Sequence, residues 1–246
     1  MFVPKIIYED RNILVLNKPS GVAVHSDGRT AETTVADWLL ENRPEIRNVG
    51  ELMKLPHGGE ILRPGIVHRL DRETSGVLVA AKDQEIFFAL KREFQGRRVK
   101  KTYRAFVYGV LKDNEGVIEK RIGRSRSDPT KWSAEYGAKG RRGGELREAV
   151  TEYKVIARGA GATYVEAYPK TGRTHQIRAH FKAIGHPIVC DRLYAGKRPC
   201  ILDFSRLALH AFAIEFTLPA AGVMRFEAEA PKDFSRAERL AFAGNP

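Results

Sequence analysis

The apolar run that begins at Val77-Leu78-Val79-Ala80-Ala81 and stops at Lys82 is the strongest constraint on the fold. A short uninterrupted stretch of this kind reads as a strand with both faces buried, entered through the turn residues Thr74-Ser75-Gly76. Immediately upstream lies His68-Arg69-Leu70-Asp71-Arg72-Glu73, with one carboxylate between two arginines and a histidine close by. A buried strand gives such a turn the rigidity needed to hold a reactive group still. The flanking arginines are expected to favour ionised Asp71 by opposite charge, which suits a nucleophile or a base and not an acid. Spacing alone equally allows an exposed loop whose ion pairs contribute about 0–1 kcal/mol each.

Charge narrows the partners. The 246 residues hold 42 Lys and Arg against 30 Asp and Glu, a formal net charge of +12. An excess of that size points first to a polyanion, RNA or DNA. An anionic membrane is the competitor, but no basic amphipathic helix stands out and no apolar run reaches 18 residues. The N-terminus Met1-Phe2-Val3-Pro4-Lys5 has no secretion pattern. Cys190 and Cys200 have no C-x-x-C or ligand spacing and are expected to be reduced thiols of a cytoplasmic protein. His175, His180 and His186 do not recur at i, i+4, so a metal is not expected.

Along the chain, residues 6–8 and 13–16 read as strands, and Asn17-Lys18-Pro19-Ser20-Gly21 breaks the second. Thr33 or Thr34 caps a helix through Trp38 and Leu39, and residues 43–64 read as a long surface loop. Asp83 caps a helix with Ile86, Phe87, Leu90 and Phe94 on one face, ending at Gly96. A strand follows from Thr102 to Leu111, placing Tyr103, Ala105 and Val107 on one side. Residues 121–147 are basic, with Trp132 and Tyr136 interleaved, and suit a mobile loop or hairpin that orders on RNA. Strands are expected at 151–155 and 162–168. A helix capped by Thr174 then turns Ile177, Phe181 and Ile184 to the core and carries Arg178 and Lys182 on another face. Segments 207–211, 212–216 and 223–230 read as closing strands.

The run His-Arg-Leu-Asp-x-x-Thr-Ser-Gly at 68–76 resembles the active-site motif of the RluA family of RNA pseudouridine synthases. The resemblance continues at Lys18-Pro19-Ser20-Gly21 with His25, at Lys101-Thr102-Tyr103-Arg104-Ala105, and at Gly172-Arg173-Thr174-His175-Gln176-Ile177-Arg178-Ala179-His180. These ordered blocks span roughly residues 6–216, a far more specific signal than one short motif. The resemblance implies an α+β fold with a mixed, mostly antiparallel central sheet, flanking helices and loops, and a central RNA-binding cleft. It implies one catalytic domain over residues 1–246. The separate small S4 RNA-binding domain that many members carry ahead of it has no room here, since the first motif begins at Lys18.

The implied reaction is isomerisation of uridine to pseudouridine in structured RNA, ribosomal or transfer, with no cofactor. The target base must be flipped out at a cost of a few kcal/mol, which salt-dependent phosphate contacts offset. By resemblance, Asp71 is the nucleophile or essential carboxylate, Arg178 lies against it, and Tyr103 stacks on the uracil and serves as general base. Arg69 fills the space that the base vacates. Lys18, His68, Thr74, His175 and Ile177 complete the expected substrate contacts. Attack at C6, attack at C1′ and a glycal route all remain open, and nothing calls for more than a monomer. A non-catalytic RNA-binding module lacks support because the Asp, Tyr and Arg set is intact, and a DNA-binding regulator lacks a recognisable motif.

Overall fold

The computed structural model describes residues 2–26, 32–54, 58–125, 128, 131–134, 145–219 and 221–242. In chain order they form β1 (Lys5–Glu9), β2 (Ile13–Lys18), α1 (Val35–Asn42), β3 (Leu52–Lys54), β4 (Glu60–Leu62), β5 (Ser75–Ala81) and α2 (Gln84–Gln95). Then come β6 (Lys100–Tyr108), β7 (Glu115–Glu119), β8 (Gly123–Arg124), β9 (Trp132–Ser133), β10 (Val150–Gly159) and β11 (Ala162–Pro169). The last elements are α3 (Gln176–Ala183), β12 (Leu209–Leu218), β13 (Gly222–Glu227) and α4 (Lys232–Phe242). They belong to an α+β fold that divides into two compact units, residues 1–100 with 211–229 and residues 101–210 with 230–246.

In the first unit the strands lie in the order β1-β2-β5-β12, with β13 on β12. The β1–β2, β2–β5 and β12–β13 pairs are antiparallel, with Val15 opposite Val79. Ile13 to Leu16 are fully buried and every residue of β5 is buried, which is why both read as apolar runs without alternation. Thr34, not Thr33, caps α1, through a reciprocal bond pair with Asp37. Asp83 caps α2 by accepting the Ile86 N–H at 2.9 Å, and Phe87, Ala89 and Leu90 face inward. The surface loop expected at 43–64 is instead structured: a 3₁₀ turn at Pro44–Asn48 buries Ile46 completely, and β3 pairs with β4. Its many polar residues masked the buried Ile46 and Val49.

In the second unit β6, β11, β10 and β7 lie in that order, and all are antiparallel. Phe106 stacks on Tyr164 at 4.4 Å and meets Phe204 and Phe234 edge-on or tilted. Phe234 belongs to α4, a helix not anticipated from sequence because charge dominates its surface. The stretches expected as two strands at 207–211 and 212–216 are one continuous β12. The basic segment 121–147 contains the short β8–β9 hairpin, with the Arg124 guanidinium 5.1 Å from the Trp132 ring centre. Tyr136 lies outside the described residues. Cys190 and Cys200 are not free thiols but are joined to each other, the chain turning back so that their Cα atoms lie 4.9 Å apart. Among the described residues no helix is long and apolar enough to cross a membrane.

Candidate active site

The turn bearing Asp71 is fastened at both ends by residues of the first unit. Upstream, the segment from Gly65 runs beside β5: Ala81 N–H donates to the Gly65 carbonyl, and Ile66 bridges to Ala80. His68 continues this contact. Its Nε2 accepts the Val79 N–H at 2.9 Å, which leaves the proton of the neutral ring on Nδ1. The same ring stacks on Phe94 at 4.8 Å. Sequence reasoning gave His68 to the substrate; the structure uses it to tie the motif to the buried strand.

Downstream, Lys18 ends β2 opposite Gly76, and its side chain is fully buried. Its Nζ donates to the carbonyls of Pro19 at 2.8 Å, Val22 at 2.7 Å and Arg72 at 3.0 Å. Gly21 N–H also donates to the Arg72 carbonyl, and Ser20 Oγ donates to the Glu73 carbonyl at 2.6 Å. The Lys-Pro-Ser-Gly block is therefore a clamp on the backbone that follows Asp71. The expectation that Lys18 reaches RNA is corrected on the ground that its ammonium points inward to carbonyls. Thr74 N–H closes the turn onto the Asp71 carbonyl at 3.1 Å. The Thr74 side chain is buried, and its hydroxyl has no hydrogen-bond partner among the described residues. Gly76 is required by β12: at φ 120° a side chain there would run into the Ala211 backbone.

The two arginines beside Asp71 do not act as sequence order implies. Arg72 donates from Nε to the Gly21 carbonyl at 3.0 Å and pairs with Glu32 at 2.9 Å. Arg69 is exposed and donates from Nη1 to His25 Nε2 at 3.3 Å. His25 Nδ1 lies 2.9 Å from the Ser26 carbonyl, so a neutral ring protonated at Nδ1 satisfies both contacts. His25 is thus the residue that orients Arg69.

In the second unit Tyr103 sits on β6 opposite Ala167, half-buried and packed on the aromatic core. Its neighbour Arg104 bonds Glu166 across the strand pair at 3.2 Å. Glu166 also accepts the Tyr168 hydroxyl at 2.6 Å, and burial followed by that bond pushes the phenol up to about 12. Lys101, two residues before Tyr103, donates to the Thr171 carbonyl at 3.3 Å. Burial lowers its ammonium to about 8.

Helix α3 begins one residue later than expected. His175, in a left-handed conformation at φ 55°, is the boundary residue, and its side chain does not cap the helix. Gln176 instead ties the helix start to the turn before it, its Oε1 accepting from Thr171 Oγ1 at 2.7 Å and Arg173 N–H at 3.0 Å. Ile177 and Phe181 face the core, so Ile177 supports the helix rather than presenting its side chain outward. Arg178 is buried and forks onto Asp191, with Nε to Oδ2 and Nη2 to Oδ1 both 2.8 Å. Asp191 also accepts the N–H groups of Leu193 and Tyr194. The Tyr194 ring lies 5.1 Å from the guanidinium, and its hydroxyl is 3.0 Å from His175 Nδ1. Asp191 and Tyr194 escaped sequence reasoning. The one signal was an Asp placed two and three residues before the amides it caps.

The family model described as RNA pseudouridylate synthase matches residues 12–183. The ribosomal large subunit pseudouridine synthase D of Pseudomonas aeruginosa is 36% identical over 98% of this chain and 74% of its own length. Its namesake in Neisseria meningitidis serogroup B is 37% identical over 94% of this chain, which spans 61% of that relative's length. The solved structure of human RNA pseudouridylate synthase domain containing 1 superposes with a TM-score of 0.71 at 26% identity, covering 93% of this chain and 84% of that one.

Proposed function

The chain belongs to the RNA pseudouridylate synthase family, whose enzymes isomerise uridine to pseudouridine in RNA, and we propose that Asp71 is its essential carboxylate and ribosomal RNA its substrate. In this reaction the bond from N1 of uracil to C1′ breaks, and a bond from C5 to C1′ forms. The C5 hydrogen leaves as a proton and N1 gains one, so no oxidant or imported group enters the balance. Tyr103 is the base that takes up the C5 proton, and Arg178 is the cation proposed to serve the reaction beside it. Arg69, steadied by His25, fills the place of the flipped uridine, where a planar guanidinium stacks and donates at once.

The observation that carries this reading is the double fastening of the Asp71 turn, through His68 to β5 and through Lys18 to the Arg72 carbonyl. A turn serving only as a connection has no need of a fully buried ammonium, whereas a carboxylate that must meet one atom of a flipped base does. Lys18 and His68 are accordingly positioning residues. Two relatives named for the ribosomal large subunit support the ribosomal substrate. The same reading makes the protein a monomer working in the cytoplasm as one catalytic domain.

The test is to incubate the protein with unmodified transcripts of large-subunit ribosomal RNA and of transfer RNA. Pseudouridines are then mapped by carbodiimide adducts that stop reverse transcription. New stops in the ribosomal transcript are expected; stops only in transfer RNA would overturn the assignment of substrate.

A further inference from the structure

Arg63 stands six residues before Arg69, on the same segment that Gly65, Ile66 and His68 fix to β5. Its Nε is buried and has no hydrogen-bond partner among the described residues. No carboxylate of the described residues pairs with it. The charge that bears on it is another cation, Arg69, and burial together with that repulsion lowers the Arg63 guanidinium to about 10. It therefore remains charged at neutral pH, with a buried N–H unsatisfied and a like charge for company. Each of these features costs free energy in the unliganded protein. An ion pair elsewhere in the unit shows the alternative: Arg43 forks onto Glu9 with both contacts at 2.7 Å. Among the described residues nothing of that kind is built for Arg63.

Resting on the RNA-modifying reading above, we propose that Arg63 binds a backbone phosphodiester of the RNA strand that carries the target uridine. An anion on Arg63 supplies the acceptor that its guanidinium lacks and offsets the repulsion from Arg69. Arg69 is committed to His25 and to the place of the flipped base, so the phosphate oxygens fall to the fork of Arg63. The site lies within the segment that leads to Asp71. A phosphate seated there would register the strand against the carboxylate without reading sequence.

The test measures binding of an unmodified large-subunit ribosomal RNA transcript from 50 to 200 mM KCl, for wild type, Arg63→Met and Arg63→Lys. Arg63→Met is expected to weaken binding about tenfold at low salt and to flatten the slope of log K against log salt by about 0.9. Arg63→Lys should keep the slope and recover part of the affinity. Because Nε of the wild-type guanidinium has no partner among the described residues, free Arg63→Met should melt at or above the wild-type temperature. A structural arginine would behave in the opposite way. A wild-type slope in Arg63→Met, or an affinity loss that only accompanies a fall in melting temperature, overturns the site. Inorganic phosphate at millimolar concentration should not displace the transcript; if it does so in wild type and not in Arg63→Met, the site takes free phosphate and the proposal fails. Release of tritium from uridine labelled at C5 reports separately on the isomerase reading. A wild type that binds without release, with the slope change intact, sinks that reading and leaves the phosphate site standing. A wild type that binds no RNA overturns both.

Discussion

Lys18 Nζ donates to the Arg72 carbonyl at 3.0 Å, so the peptide that follows Asp71 is held from inside the fold. Lys18→Met keeps most of the volume and removes the donor shared by three carbonyls. Stability should fall by about 1–3 kcal/mol, the loss of the buried donors outweighing relief of the buried charge. Urea unfolding checks this. Isomerisation should drop with it, while the salt slope of RNA binding stays at the wild-type value, because no phosphate contact is lost. A flattened slope would return Lys18 to the RNA surface.

Asp191 carries a second prediction. Its pair with Arg178 is buried on both sides, with side-chain exposures of 0% and 6%. Removing Asp191 takes the bidentate acceptor from a buried guanidinium, and Asp191→Ala should cost about 3–5 kcal/mol in urea unfolding. If stability changes by less than 1 kcal/mol, Asp191 is not the support of Arg178.

Glu9 predicts an acid limb of stability. Its bond to Arg43, with Lys82 2.8 Å away, lowers its carboxyl to about 2 against an ordinary value of 4.5. A depressed folded value means that the contribution is complete above about pH 5 and fades as pH falls towards 2. Allowing for its partial exposure, the amount is about 1–2 kcal/mol. Glu9→Gln should remove it, so the variant and wild type should differ at pH 7 and converge near pH 2. A constant difference across that range would contradict the pairing.

The parts of this molecule legible in its sequence are those where a local signal and the tertiary use agree. β5 is buried on both faces and reads as an apolar run, and α2 has its Asp83 cap and an apolar stripe. The residues around Asp71 were legible as a set but not in their use. Adjacency suggested that Arg69 and Arg72 neutralise it, yet their side chains turn to His25, Gly21 and Glu32. Whether a lysine faces water or three carbonyls depends on the loop that folds over it, which no periodicity encodes. Asp191 was invisible because its partner is set by where the chain returns after α3. Ile46, in a polar stretch, carries no pattern at all, and α4 hides two buried residues, Phe234 and Ala237, among charges.

The most direct test of the central claim is release of tritium from ribosomal RNA labelled at C5 of uridine, comparing wild type with Asp71→Asn. The substitution leaves size and hydrogen-bonding capacity close to native while removing the charge. The account predicts release by wild type, a loss of at least about a thousandfold in Asp71→Asn, and RNA affinity unchanged. Release by Asp71→Asn at near the wild-type rate would contradict the assignment of Asp71 as the essential carboxylate.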